Sequence, residues 1–272
     1  MVRYDTLRLL LALTTHQGLN MVQFDIRTAF LYGNLEEDIY MKIPQGLKVP
    51  KITKKVCKLR KALYSLKQAS RCWNSTFKRK MKKHGFVPCS AYSSVFVGKI
   101  NNVIVYIVLF VDDGIIICKF IEVIYIVLNL IRVNFEATVC KPKMFVGLQI
   151  DYDREKKIMF LHQSEYINKL INRFKLDDAK PSWTPEEKGA ELRPAGKHEG
   201  EKFPFRELVG SLMFLSAVTR PDISHAVNVV SRFLDCYGKT HWKAAKRILR
   251  YVKATLYHGI VYRGTSDSLQ IV

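Results

Sequence analysis

Apolar and polar positions alternate most tellingly across residues 103–118, V-I-V-Y-I-V-L-F-V-D-D-G-I-I-I-C, where two carboxylates and a glycine separate two β-branched runs. Each run has the length and composition of a strand, and Asp112-Asp113-Gly114 holds the residues a tight hairpin turn prefers. Buried flanks beside two adjacent like charges create a conflict that water or a cation must relieve. A solvated Asp-Gly turn and a divalent-cation site both satisfy that pattern.

Upstream, Leu7, Leu10, Leu11 and Ala12 recur at helical spacing over residues 3–13, with Asp5 as cap and Gly18 as stop. Residues 21–26 switch to period two, with Val22, Phe24 and Ile26 on one face and Gln23 and Asp25 on the other. Asp25 therefore ends a strand, where a side chain can leave the sheet and line a site. Residues 28–34 read as a turn or short helix, 35–41 as a solvated surface with Glu36, Glu37 and Asp38, and Pro44, Gly46 and Pro50 as a loop. A helix over 69–83 aligns Trp73, Phe77 and Lys80 on one stripe. A strand over 92–98 then turns at Asn101-Asn102 into the central hairpin. Residues 120–135 are apolar enough for a buried helix over the sheet, 143–150 read as one strand, and 158–161 as its partner across a turn.

The rest is helical in pattern. Residues 165–174 put Tyr166, Ile167, Leu170, Ile171 and Phe174 on one face, and 177–204 read as a linker rich in proline and glycine. Helices follow over 205–217 and 222–234, with Pro221 placed to start the second. A last helix, 240–255, opposes Lys243, Lys246, Arg247, Arg250 and Lys253 to Ala244, Ile248 and Val252. That basic stripe can track phosphates or simply face solvent. The fold class expected is α+β: an antiparallel sheet with helices on one face, followed by a mainly helical region.

Composition narrows the function. With 48% hydrophobic and 25% charged residues the chain reads as globular rather than disordered. Its 44 Lys+Arg against 24 Asp+Glu leave +20, a surplus that points to a polyanionic partner. The basic residues crowd between Lys51 and Lys83, including Lys54, Lys58, Lys67 and Arg71, and are interleaved with Tyr64, Trp73 and Phe77. Such a mixture suits a phosphate backbone and stacked bases. Cysteines 57, 72, 89, 118, 140 and 236 form no C-x-x-C pair, which argues against zinc and for a reducing compartment. Signal-peptide features are absent at Met1–Thr6, and the acids at 112 and 113 split the longest apolar stretch, so no membrane span is expected.

Carboxylates at a strand end (Asp25) and a hairpin tip (Asp112, Asp113), on a basic protein, suit cations that meet an anionic substrate. Two divalent ions roughly 3.5–4 Å apart can activate a 3′-hydroxyl and stabilise departing pyrophosphate. The same residues resemble a known family. Q-F-D-I-R-T-A-F-L-Y-G-N-L-E-E-D-I-Y-M at 23–41 is similar to the first catalytic motif of copia-type retrotransposon reverse transcriptases. C-K-L-R-K-A-L-Y-S-L-K-Q-A-S-R-C-W at 57–73 resembles the second, F-V-D-D at 110–113 the third, and F-V-G at 145–147 the primer-grip turn. V-G-S-L-M at 209–213, T-R-P-D at 219–222 and H-W-K at 241–243 through Arg250-Tyr251 resemble the downstream thumb and connection.

The resemblance implies a right-hand polymerase: partial fingers and palm over 1–162, thumb and connection over 163–260, and the start of an RNase H domain over 261–272. Asp25, Asp112 and Asp113 would hold two Mg²⁺ ions, with Mn²⁺ as a substitute. Phe30 would sense the sugar 2′ position, Lys67 and Gln68 would lie along the incoming nucleotide, and Phe145, Val146 and Gly147 would hold the primer end. Arg71, Lys243, Lys246, Arg247 and Arg250 would contact the nucleic-acid backbone. Implied partners are an RNA or DNA template with primer and deoxynucleoside triphosphates, with no membrane; the setting would be a cytoplasmic virus-like particle or the nucleus. The missing fingers and RNase H segments would belong to a longer polyprotein. Relatives usually carry Gly at the position of Ser65 and Pro at that of Ser70. The alternative is a nucleic-acid-binding relic of the same fold that no longer catalyses.

Overall fold

The structure, a computed structural model, describes residues 3–46, 55–189, 191–196 and 203–264. Pro50, Lys51 and Lys54 of the basic loop, part of the expected linker, and residues 265–272 lie outside the described residues. The chain forms two compact units, Met1–Pro142 and Lys143–Val272. The strands of 144–162 lie in the second of these units, with the helices that follow.

In the first unit the chain runs α1 (Tyr4–Gln17), β1 (Asn20–Ile26), a 3₁₀ turn (Ala29–Tyr32), β2 (Tyr40–Met41), β3 (Cys57–Lys58) and α2 (Ala69–Lys82). It continues through β4 (Val87–Pro88), β5 (Val95–Ile100), β6 (Val103–Phe110), β7 (Asp113–Cys118), α3 (Ile121–Asn134) and β8 (Ala137–Cys140). Gly18 closes α1 in the left-handed conformation, while Asp5 pairs with Arg8 at 2.6 Å instead of capping. The six-stranded sheet has the order β4-β5-β6-β7-β1-β8, every neighbour antiparallel. Strand parity then sorts its faces. Phe24, Ile26, Val105, Ile107, Leu109, Ile116 and Cys118 join one core with Trp73 and Phe77 of α2 and Ile124, Val127, Leu128 and Ile131 of α3. The helix over 120–135 buries only that face; Tyr125, Ile126 and Val133 are exposed on the other.

Two turns differ from the sequence pattern. The central hairpin pairs Phe110 with Asp113, so its loop is Val111-Asp112 and Asp113-Gly114 belong to β7. The expected strand at 143–150 is broken in two, because Phe145 pairs with Leu148 across a tight Val146-Gly147 turn.

The second unit begins with β9 (Met144–Phe145), β10 (Leu148–Asp153), β11 (Ile158–His162) and α4 (Ser164–Arg173). It continues with α5 (Phe205–Val218), a 3₁₀ turn (Pro221–Ile223), α6 (Ser224–Ser231), α7 (Lys239–Ala254) and β12 (Ile260–Arg263). Strand β12 pairs with β11 and completes a four-stranded antiparallel sheet. The four helices share a core of Ile167, Leu170, Leu212, Val227, Ile248 and Val252 among others.

T-R-P-D at 219–222 is the lock of this unit. Arg220 is fully buried, gives two hydrogen bonds to Asp222 (2.9 and 2.8 Å), and donates to the Thr255 carbonyl just past α7 at 3.1 Å. Tyr251 adds a hydrogen bond to Asp222 at 3.0 Å, and Thr219 donates to Gln163 at 2.8 Å. Burial pushes the Asp222 carboxyl up, but the Arg220 guanidinium and the Tyr251 hydroxyl more than offset it and hold the group below the usual range. Stability from this pairing is present above the ordinary carboxylate value of about 4 and is lost as pH falls through the depressed native value. Asp222→Asn leaves Arg220 buried and uncompensated. It is expected to cost about 3 kcal/mol at pH 7, and the gap in melting temperature from the parent chain should shrink below about pH 4.

Candidate active site

Strand β1 lies between β7 and β8, and its register puts Asp25 directly opposite Asp113 on one side and Thr138 on the other. Parity sends Asp25 and Asp113 to the face away from α2 and α3, because their neighbours Phe24 and Gly114 face those helices. Close packing fixes that register: a Cβ on Gly114 would lie 2.1 Å from the Phe24 ring. Asp112 joins the pair through the turn, its carbonyl accepting from the Ile26 N–H at 2.8 Å. Three residues 88 positions apart at the extremes are thus held by adjoining strand ends.

The electrostatics follow from this crowding. Desolvation first, then the charges of Asp25 and Asp112, push the Asp113 carboxyl above the usual range, partly offset by a long 3.5 Å contact from Gln23 Nε2. Cys140, which pairs with Gln23 in register, is raised by desolvation and by the charges of Asp113 and Asp25. Asp112 Oδ1 is buried without a hydrogen-bond partner, and so is Gln23 Oε1. Among the described residues, no three His, Cys, Asp or Glu side chains are gathered in a metal-holding arrangement. An all-oxygen carboxylate set with mutual repulsion and an orphaned buried oxygen is nonetheless chemically suited to a hard divalent cation.

The turn itself is strained. Val111 has φ 55, a left-handed conformation that β-branched residues rarely adopt. Trp73 of α2 donates from Nε1 to the Val111 carbonyl at 2.7 Å. Tyr64 donates from its hydroxyl to Asp112 Oδ2 at 2.8 Å, and its ring lies 4.7 Å from that of Phe30. Partial desolvation, then the hydrogen bond and charge of Asp112 and the charge of Asp25, push the Tyr64 phenol up to about 12. From sequence, Tyr64 counted only as one aromatic in a basic run, and Gln23 and Cys140 were not singled out as site residues. Only the alternation of β1 marked Gln23 as sharing a face with Asp25; nothing local marked the other two.

The remaining predicted residues fall in separate settings. Phe30 sits half-buried on the 3₁₀ turn; Gln68 is the residue before α2, and Lys67 beside it is exposed. Arg71 forms an ion pair with Glu37, so part of its charge is answered within the chain. In the second unit Phe145 is fully buried and its ring anchors the turn, whereas Gly147 is exposed. Val146 and Gly147 have φ 51 and 75, and a Cβ on Gly147 would lie 3.1 Å from Phe214.

The basic stripe of α7 is largely engaged by the expected linker. Arg250 Nε donates to the Lys180 carbonyl at 2.5 Å and Arg247 to Thr184 Oγ1 at 2.9 Å, while Lys246 lies over the Trp242 ring. A cavity of about 780 Å³ is lined by Lys243, Lys246, Arg247 and Arg250 together with Glu186, Glu187 and Glu191.

Ser65 has φ 77 and Ser70 is the second residue of α2, settings that suit Gly and Pro respectively. Ser65→Gly removes left-handed strain at an exposed residue. A stabilisation of about 1 kcal/mol is expected in thermal or urea unfolding. Trp73→Phe should instead destabilise by about 1–3 kcal/mol, since it keeps an aromatic ring but leaves the Val111 carbonyl unpaired.

The family model for reverse transcriptase (RNA-dependent DNA polymerase) matches residues 1–188. A retrovirus-related Pol polyprotein from transposon TNT 1-94 of Nicotiana tabacum is 35% identical over 99% of this chain and 21% of its own length. The corresponding polyprotein from transposon RE1 of Arabidopsis thaliana is 34% identical over 98% of this chain and 18% of its own. A putative transposon Ty5-1 protein of Saccharomyces cerevisiae is 29% identical over 89% of this chain and 79% of its own length. The chain thus spans about a fifth of the length of the two Pol polyproteins. No solved structure matches. With a family model covering more than half of its residues and Pol polyproteins of copia-type transposons matching nearly all of them, the chain belongs to the reverse transcriptase family.

Proposed function

We propose that this chain is the core of an RNA-directed DNA polymerase that extends a primer on an RNA or DNA template from deoxynucleoside triphosphates. The observation that carries the reading is the cross-strand pairing of Asp25 with Asp113, with Asp112 in the adjoining turn. In this reading residues 1–162 are partial fingers and palm and residues 163–260 are thumb and connection. Asp25, Asp112 and Asp113 would hold the two Mg²⁺ ions, or Mn²⁺ in their place. When bound, such ions neutralise phosphate charge, activate the primer hydroxyl and stabilise the leaving pyrophosphate.

The chain's own groups do the rest. Phe30 presents a flat ring suited to exclude a ribose 2′-hydroxyl. Lys67 brings an exposed charge for the triphosphate, and Gln68 lies beside it at the start of α2. The Val146-Gly147 turn offers backbone to a primer strand, glycine allowing close approach. The net charge of +20 supports a phosphate backbone as partner.

A second reading, a nucleic-acid-binding relic without catalysis, is favoured by the net charge of +20, which binding alone would also use. Primer extension on poly(rA)/oligo(dT) with Mg²⁺ or Mn²⁺ separates the two. Extension that disappears in Asp112→Asn is the expected result; tight binding with no extension supports the relic. Binding should also weaken steeply with salt, about 10³-fold from 50 to 200 mM if six phosphates are contacted. A flat salt titration would count against nucleic acid as the partner.

A further inference from the structure

We propose that Tyr64 is the positioning residue for Asp112: its hydroxyl aims the carboxylate for cation capture, and its ring buttresses Phe30. The inference rests on the reading of Asp112 as a metal ligand. The hairpin loop has two residues, and one short segment, 64–73, holds both of them. Trp73 takes the Val111 carbonyl and Tyr64 takes the Asp112 carboxylate, at 2.7 and 2.8 Å. A carboxylate offers about four lone-pair sites, so one hydroxyl on Oδ2 leaves the second lone pair there, and both on Oδ1, for a cation. Oδ1 is buried with no hydrogen-bond partner, so the Tyr64 bond is what orients the side chain. Groups that hydrogen-bond to a ligating carboxylate set its direction, and their removal typically weakens metal binding 10–100-fold.

The ring has a separate task. Phe30 is half-buried, and Tyr64 packs on it at 4.7 Å with the planes tilted by 59°. The hydroxyl and the ring can therefore be tested apart. Tyr64 is 49% exposed, so neither Tyr64→Phe nor Tyr64→Ala removes a core side chain.

Mn²⁺ uptake, read from the free-ion paramagnetic resonance signal, is measured on the parent chain, Tyr64→Phe, Tyr64→Ala and Asp112→Asn, with melting temperature as the check on folding. Extension of oligo(dT) on poly(rA) is followed with dTTP and with UTP. Tyr64→Phe is expected to weaken Mn²⁺ about 10-fold without shifting the KM for dTTP or the preference for dTTP over UTP. Its lost rate should return as Mn²⁺ is raised. Tyr64→Ala is expected to show the same metal defect and, in addition, to admit UTP more readily. Equal or tighter Mn²⁺ binding by Tyr64→Phe, with Asp112→Asn still abolishing uptake, overturns the role of Tyr64 and leaves the polymerase reading standing. A parent chain that takes up no Mn²⁺ overturns both, and the uptake measurement decides even for a chain that does not extend.

Discussion

Two like charges, Asp25 and Asp113, face each other across an antiparallel strand pair, and much of the first unit holds that repulsive pair in register. Opposed like charges destabilise a sheet, so the register needs support from the opposite face. Phe24 supplies it by lying where a side chain on Gly114 would be. A slip of either strand by one residue would break this close packing and turn that strand's carboxylate into the apolar core. Ile26 then ties the end of β1 to Asp112, so the third acid follows from the same pairing. The arrangement has unresolved electrostatic strain, visible in the raised Asp113 carboxyl and the unpartnered Asp112 Oδ1.

Much of this was legible where local pattern and tertiary context agree. Period-two alternation in β1 placed Gln23 and Asp25 on one face, helical spacing marked α1, α4 and α7, and Gly18 ended its helix as its conformation allows. The misreadings share a cause: a distant contact overrode a local preference. Asp-Gly is a better turn than Val-Asp by propensity, yet the loop is Val111-Asp112 because Trp73, 38 positions away, binds the Val111 carbonyl. Tyr64 stood out in sequence only as one aromatic in a basic run, because its partner Asp112 lies 48 positions on. Phe145, expected at the primer end, has its ring fully buried.

The second unit shows the same limit in its charges. The stripe on α7 is a real helix face, but spacing alone does not reveal what meets it. Arg250 and Arg247 meet residues 180 and 184, and Lys253 reaches the carbonyls of Leu176 and Ala179 at 3.2 Å. Arg220 carries the point further: a fully buried guanidinium beside Asp222 and the end of α7 makes a recognisable motif a structural lock. A surplus of cations thus overstates the charge free to meet phosphate, since part of it is spent inside the fold.

Both hairpins that resemble family motifs place a valine in the left-handed region, Val111 at φ 55 and Val146 at φ 51. A β-branched residue there costs on the order of 1–2 kcal/mol, a loss that glycine or asparagine would avoid. Asn101-Asn102, φ 49 and 64, makes a tight turn in the same sheet with residues suited to it. The chain can therefore build a relaxed hairpin where the turn only connects strands. At Val111 the strain is held by a hydrogen bond from α2, and the residue that follows is the carboxylate clasped by Tyr64. Strain stabilised from outside, one residue before an acid held from outside, is what a turn requires when side-chain direction matters more than turn stability.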